Sequence, residues 1–129
     1  MKQVLLDTSF ILSCMRHKID FIRDLTLEGM EILVPKEVIE EIKKIQSSRK
    51  KDKDKKKAKI CLRYLEKNQY KEIILNSDKK PGFIVDKGIM QYAMNNPEVI
   101  IATLDKNIKK SISNQKLIIT RKKRLEIVN

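Results

Sequence analysis

The stretch MKQVLLDTSF, residues 1–10, decides the predicted fold. Its apolar run, residues 4–6, predicts a β-strand, and Asp7 follows directly at the carboxyl end of that strand. Ligands of open α/β sheets bind outside the carboxyl ends of the strands, so Asp7 occupies a candidate functional position. A helix N-cap explains it equally well, because an Asp side chain accepts hydrogen bonds from the first turn of a following helix, here predicted at residues 10–17. On this stretch alone, both interpretations remain open.

The rest of the chain alternates predicted strands with predicted helices. Further strands are predicted at residues 31–34, 72–75, 99–103 and 116–120, with a short edge piece at 125–128. Helices are predicted from Asp20 to a stop at Gly29, at 36–46, from Ala58 onward, at 84–94 and at 106–113. Parallel neighbours need crossover connections, so this alternation predicts βαβ units and a parallel sheet in a single α/β domain, residues 1–129.

The net charge of +12 is concentrated in two segments. Residues 49–57 (RKKDKDKKK), with a net charge of +5, and 121–124 (RKKR), with +4, supply nine units of the net +12, which favours a polyanion such as nucleic acid as the partner. A solvated lysine-rich loop explains the first segment equally well, and we expect a mobile basic loop at 47–57 because it contains no apolar residue. The residues expected to bind the phosphates of a nucleic acid are Arg49, Lys50, Lys51, Lys53, Lys55, Lys56, Lys57, Arg121, Lys122, Lys123 and Arg124.

Several classes of protein are disfavoured. The two cysteines, Cys14 and Cys61, lack CxxC spacing, so we expect buried core thiols in a reducing, cytoplasmic setting. No apolar run approaches membrane-spanning length, and Asp7 interrupts the only segment that resembles a signal peptide. The single histidine, His17, lacks the partners that catalysis needs and is expected at a surface or helix end.

A second carboxylate, Asp105, follows another predicted strand, residues 99–103. Two parallel strands place their carboxyl ends at the same edge of a sheet, so Asp7 and Asp105 would face one crevice if their strands are neighbours. A helix N-cap is again the alternative, for the helix predicted from Lys106.

The helix predicted at residues 36–46 contains three glutamates. At about 100° per residue, Glu41 lies about 60° from the centre of its apolar stripe, Glu37 about 100°, and Glu40 nearly opposite. Glu41 is therefore the candidate for a cleft, with Glu37 in reserve and Glu40 facing solvent. A helix that tolerates an acid at the border of its buried face is an equally common arrangement.

Asp86 lies in the first turn of the helix predicted at residues 84–94, where the helix dipole favours an acid in any protein. If four carboxylates converge, charges about 4 Å apart repel by about 4 kcal/mol at an effective dielectric of about 20, so a bound cation is expected. Oxygen-only ligands suit Mg²⁺ or Mn²⁺, which activate water for phosphodiester cleavage.

Four stretches together carry a family resemblance: LLDTSFIL (5–12), VPKEVIEEIKKI (34–45), FIVDKGIMQYA (83–93) and IIATLDKNIKK (100–110). In this order and spacing the chain resembles the PIN domain nucleases. The resemblance implies a three-layer α/β/α sandwich around a central parallel sheet of about five strands, and a metal-dependent, RNA-cleaving centre that uses Mg²⁺ or Mn²⁺. It places the catalytic, metal-binding acids at Asp7, Glu41, Asp86 and Asp105, with Thr8 and Thr103 as supporting hydroxyls.

Within the family, AKICLRYLEKN (58–68) and LIITRKKRLEIV (117–128) are similar to the PIN nucleases of small-subunit rRNA maturation and their archaeal relatives. Many members have an acid where this chain has Asn107, which implies a looser second metal site. The leading hypothesis is an endoribonuclease that processes rRNA precursor. A VapC-type toxin with an antitoxin, and an RNA-binding scaffold with a vestigial site, are the alternatives; a phosphoacceptor receiver domain is disfavoured because Asp7 has no adjacent acid. An uncovered helix face around Phe21 and Ile22 would allow a homodimer.

Overall fold

Strands and helices alternate along the chain in a computed structural model, which describes residues 1–47 and 51–129. The strands are β1 (Gln3–Leu6), β2 (Glu31–Pro35), β3 (Lys71–Ile73), β4 (Ile100–Ala102), β5 (Lys116–Ile119) and β6 (Leu125–Val128). The helices are α1 (Thr8–Arg16), α2 (Phe21–Leu27), α3 (Lys36–Ser47), α4 (Asp52–Lys67), α5 (Val85–Asn95) and α6 (Lys106–Ser111).

The described strands form one sheet in the order β3-β2-β1-β4-β5-β6. All neighbours are parallel except β6, which pairs antiparallel with β5. The predicted parallel α/β sheet is confirmed, and the piece at 125–128 is a full sixth strand. β6 reverses direction because the turn that precedes it, residues 120–124, is too short for a crossover.

The central strand β1 is buried on both faces, which explains its uninterrupted apolar run. Val4 and Leu6 point into one core, which holds residues of α1, α2, α3 and α4, whereas Leu5 points into a second core with residues of α5 and α6. The sheet is thus the middle layer of the predicted three-layer α/β/α arrangement.

Both cysteines are buried free thiols, as predicted. Burial raises the pKa of Cys14 and of Cys61 to about 12, so neither forms a thiolate at neutral pH. No helix within residues 1–47 and 51–129 is both long and apolar enough to cross a membrane.

The predicted mobile loop at 47–57 is wrong for most of its length. Ser47 ends α3 and α4 already begins at Asp52, six residues before the predicted start at Ala58. Lysine is a good helix former, and the acids of the first turn, Asp52 and Asp54, favour a helix N-terminus. An exposed first turn needs no apolar residue when later turns of the same helix pack. Arg49 and Lys50 lie outside the described residues.

The helix face around Phe21 and Ile22 is covered, contrary to the expectation that it could support a dimer. Phe21 is fully buried and Ile22 is 3% exposed, because Tyr64 of α4 packs on them with ring centroids of Phe21 and Tyr64 5.0 Å apart. The Tyr64 hydroxyl donates a hydrogen bond to Asp20 and accepts one from the Ile22 N–H at 3.0 Å. Asp20 therefore bonds Tyr64 rather than capping α2 with its side chain.

Candidate catalytic cleft

The carboxyl ends of β1 and β4 lie side by side at one edge of the sheet. Leu6 pairs with Ala102, and the Asp7 N–H donates to the Ala102 carbonyl at 2.9 Å. The residues that follow the two strands are therefore held at the same level, as required for two strand-end acids to face one crevice.

Asp7 is 4% exposed and bonded through both of its carboxylate oxygens. Its Oδ1 accepts from the Thr8 N–H at 2.7 Å, and its Oδ2 accepts from the hydroxyls of Thr103 at 2.7 Å and Ser9 at 3.4 Å. Asp7 is also the N-cap of α1. The two interpretations of the opening stretch are thus compatible in one side chain, which caps a helix and lines a cleft.

The Thr103 hydroxyl connects the two strand-end acids. It donates to Asp7 and accepts from the Asp105 N–H at 3.1 Å. Asp105 caps α6, since its Oδ1 accepts from the N–H groups of Asn107 at 2.8 Å and Ile108 at 3.1 Å. Its Oδ2 has no hydrogen-bond partner among the described residues and is available to a cation.

The three glutamates of helix α3 have different surroundings. Glu41 accepts a hydrogen bond from the Thr8 hydroxyl, whereas Glu40 is exposed. Glu37 accepts from the N–H groups of Leu75 and Asn76, both at 3.0 Å, and so fastens the segment after β3 to the start of α3. Burial raises the pKa of Glu37, but these backbone hydrogen bonds outweigh it and the pKa is lowered overall. Glu37 therefore binds the backbone after β3 and does not line the cleft, whereas Glu41 does.

Asp86 stands in the first turn of α5 and differs from the other acids. Its carboxylate makes no hydrogen bond to any described residue. Partial desolvation, followed by the negative charges of Asp7 and Asp105, raises its pKa. The Coulombic coupling indicates that the three carboxylates lie within electrostatic reach of each other.

All four predicted acids line one cleft of about 630 Å³: Asp7, Glu41, Asp86 and Asp105. Within residues 1–47 and 51–129, no cationic group lies within 4.0 Å of any of these carboxylates. No group of three acidic, histidine or cysteine side chains in the same described ranges could hold a metal ion as it stands. The donor set nevertheless suits a hard cation, because Mg²⁺ prefers oxygen ligands and commonly keeps several waters, through which carboxylates can hold it without direct contact.

Five further residues line the cleft that were not predicted as site residues: Ser9, Leu12, Lys44, Ile45 and Leu104. The Ser9 hydroxyl accepts from the Leu104 N–H at 3.2 Å and so ties the loop after β4 to the start of α1. Lys44 is an exposed residue of α3 that also lines the cleft. Its spacing of three residues from Glu41 was the available signal, since residues at i and i+3 are neighbours on a helix surface.

The predicted RNA-binding residues are distributed differently from the acids. None of those that the structure describes lines the cleft, although Lys57 lines an adjoining pocket. Residues 121–124 form the exposed turn between β5 and β6, where Lys123 and Arg124 line a separate groove with Asp24 and Glu28. Asn107 is exposed and its side chain does not line the cleft.

Comparison with known proteins identifies the class of the chain. A family profile described as a PIN like domain matches residues 4–124, so the chain belongs to the PIN-like domain family. A curated relative, ribonuclease VapC4 of Methanocaldococcus jannaschii, is 28% identical over 135 aligned residues that cover 98% of this chain and 97% of the relative.

Solved structures with the same fold include that of the PIN domain endonuclease Utp24. It has a TM-score of 0.71 at 22% identity, with coverage of 98% of this chain and 96% of that one. VapBC2 from Rickettsia felis, bound to a DNA fragment from its promoter, has a TM-score of 0.54 at 16% identity, covering 88% and 98%. At these identities the likenesses show the fold, and the predicted PIN architecture is confirmed.

Proposed function

We propose that the chain is a metal-dependent endoribonuclease that hydrolyses RNA phosphodiester bonds. The observation that carries this proposal is the convergence of four acids, from four separate elements, on one cleft, with no cationic group of the described residues within 4.0 Å of their carboxylates. Four uncompensated carboxylates repel each other, so their arrangement favours a bound cation over a purely structural role. Membership of a nuclease family with a ribonuclease relative supports the same chemistry.

In this proposal Asp7, Asp86 and Asp105 hold Mg²⁺ or Mn²⁺, and Glu41 ligates the ion or orients a water. The divalent ion, when bound, lowers the pKa of a bound water and stabilises negative charge on phosphate oxygens. The choice of this cation class follows from the all-oxygen donors.

The chain's own residues contribute orientation and charge. The Thr103 hydroxyl fixes the carboxylate of Asp7, and the Thr8 hydroxyl fixes that of Glu41. Lys44 is the cationic residue among those that line the cleft, and it is placed to neutralise a phosphate of the bound strand.

The test is cleavage of structured and unstructured RNA by the purified chain with Mg²⁺ or Mn²⁺ and with a chelator. We expect cutting that depends on the ion and is lost in Asp7→Asn. Glu40→Gln is the matched control, because Glu40 is an exposed acid of α3 outside the cleft. Cleavage that survives Asp7→Asn would reject the proposal. RNA binding without cleavage in Mn²⁺ would instead favour the scaffold alternative.

We further propose rRNA precursor as the substrate. Residues 58–68 and 117–128, which resemble the PIN nucleases of small-subunit rRNA maturation, support this choice, as does the lysine-rich start of α4. Crosslinking the chain to RNA in its own cells, followed by sequencing, tests it. Predominance of rRNA precursor is the expected result, and predominance of tRNA would contradict it.

A toxin that is neutralised by an antitoxin is the second candidate, because the similarity to ribonuclease VapC4 extends over nearly the whole of both chains. Growth arrest on expression, relieved by co-expression of a small acidic partner, would favour this candidate over rRNA processing.

A further inference from the structure

A second pocket, of about 590 Å³, adjoins the cleft and is called here the side pocket. The apolar side chains that matter for its chemistry are Leu12, Met15, Ile60 and Leu104. Leu12 and Leu104 also line the acid cleft, so the side pocket and the cleft share part of one wall. Pockets of about 300–1,000 Å³ accommodate ligands of the size of a small organic molecule, and a nucleobase falls within that class.

Two of these apolar side chains are exposed to solvent. Leu104 is 39% exposed although it lies between the buried Thr103 and the cleft residue Asp105, and its backbone N–H donates to the Ser9 hydroxyl. Ile60 is 58% exposed on the opposite wall, which α4 provides. Exposed aliphatic groups at the border of a highly polar cleft suit a ligand with an apolar face.

The charges around the side pocket suit a phosphodiester strand. Arg16 and Lys57 line it together with one acid, Asp54, and neither cation makes a salt bridge to any described residue. Two cations against one acid leave a net positive rim beside a mostly apolar wall. A nucleotide offers the matching pair of features, a flat base and an anionic phosphate.

We propose that the side pocket binds an unpaired nucleobase next to the RNA bond that is cut, with Arg16 and Lys57 contacting a neighbouring phosphate. This inference rests on the proposed nuclease function and adds to it a recognition site for one base beside the acids. A base within a continuous duplex is stacked and paired, and it cannot enter a pocket unless it is extruded. The pocket favours a base over a protein segment because it shares wall residues with the acid cleft and its lining carries net positive charge.

The test measures binding apart from cleavage. Fluorescence anisotropy with a short labelled single-stranded RNA, in the presence of a chelator, gives the dissociation constant of the full chain. An abasic site is then moved along the strand one position at a time. An abasic site removes the apolar surface that the base would bury against the pocket, so we expect one position at which it weakens binding about fivefold, equivalent to about 1 kcal/mol. Equal affinities at every position would overturn the proposal.

A matched pair of variants locates the effect. Ile60→Ser changes the side pocket and no residue that lines the cleft, whereas Leu27→Ser changes an apolar residue, 79% exposed, that lines neither. We expect Ile60→Ser to remove most of the fivefold abasic penalty and Leu27→Ser to leave it unchanged. A penalty that persists in Ile60→Ser would overturn the proposal and leave the pocket to another occupant, such as a protein segment.

Failure of the nuclease function would be recognised separately. A position-dependent abasic penalty that Ile60→Ser removes supports the base site even when the wild-type chain cuts no RNA with Mg²⁺ or Mn²⁺. That combination of results would reject the proposed catalysis alone.

Discussion

Asp7 and Asp86 line the same cleft but are held in opposite ways. Asp7 is 4% exposed and accepts three hydrogen bonds from groups of α1 and of the end of β4, so its orientation is determined by the fold. Asp86 is exposed, has no hydrogen-bond partner among the described residues, and has a raised pKa. One acid is positioned before any ligand arrives, and the other has its negative charge disfavoured until a cation compensates it.

The largest effects should come from neutralising each acid in turn. Asp7→Asn and Asp86→Asn are both expected to lower kcat for RNA by more than about a hundredfold, beyond the usual effect of losing an outer-shell partner of a metal. Without metal, Asp86→Asn should leave thermal stability equal or higher, because it removes a charge that Asp7 and Asp105 oppose. A marked loss of stability in Asp86→Asn, measured by circular dichroism with a chelator, would remove the distinction between the two acids.

Replacing Thr103, whose hydroxyl links the two strand-end acids, should have the next largest effect. Thr103 is fully buried, and Thr103→Val keeps its shape while leaving the Oδ2 of Asp7 with one donor fewer. We expect a loss of about 1–3 kcal/mol in the free energy of unfolding, measured with urea. Thr8→Val is the matched control, since Thr8 lies less deeply and its hydroxyl bonds Glu41 instead. Equal losses of unfolding free energy in Thr103→Val and Thr8→Val would show that the buried hydrogen bond to Asp7 contributes no more stability than the less buried one to Glu41.

Replacing Glu37 should have a smaller effect on stability, and one that depends on pH. Its pKa in the folded state lies below the ordinary value of 4.5, so its ionised form stabilises the fold above that pH, and this contribution is lost as the pH falls through the lowered pKa. Glu37→Gln should flatten this component of acid unfolding, whereas Glu40→Gln should not. Urea unfolding of the wild type and the two variants, between neutral and acid pH, measures this component. If the free energy of unfolding falls with pH equally in all three, Glu37 does not stabilise the fold through its bonds to Leu75 and Asn76.

The smallest expected effect is a change in the pKa of Asp86 when a divalent ion binds. Asp86 has a folded-state pKa above its ordinary value of 3.8, so its ionisation removes stability as the pH rises through that range. Mg²⁺ or Mn²⁺ should reverse the sign of this shift. Carboxyl carbon chemical shifts, followed by NMR against pH with and without Mg²⁺, report it directly. If the titration of Asp86 is the same with and without Mg²⁺, no cation binds near this acid.

Much of the fold was predictable because β1 and β4 are short and strongly apolar, with Asp7 directly after β1 and Asp105 three residues after the end of β4. The same run of apolar residues 4–6 that predicts a buried strand also places Asp7 at its end. Glu41 was separable from Glu37 and Glu40 by helical geometry alone, since only a side chain at the border of the packed face can both leave the core and reach a neighbour.

Other features needed tertiary information. The start of α4 was missed because a run of charged residues predicts a loop unless the packing of Ala58, Cys61 and Leu65 behind it is known. The bonding of Glu37 to Leu75 and Asn76 joins groups far apart in the chain, and no local signal reveals it. The covered face of Phe21 depends in the same way on Tyr64 of a distant helix.

The early start of α4 has a consequence for affinity. Lys53, Lys55, Lys56 and Lys57 stand on a helix, so their backbone conformation is already restricted before any polyanion arrives. In a mobile loop, ordering the backbone on binding would cost about 1–2 kcal/mol for each residue fixed. On α4 that entropy is lost during folding, so more of the electrostatic attraction remains to stabilise a complex. The helix therefore makes these lysines a preorganised array of charges.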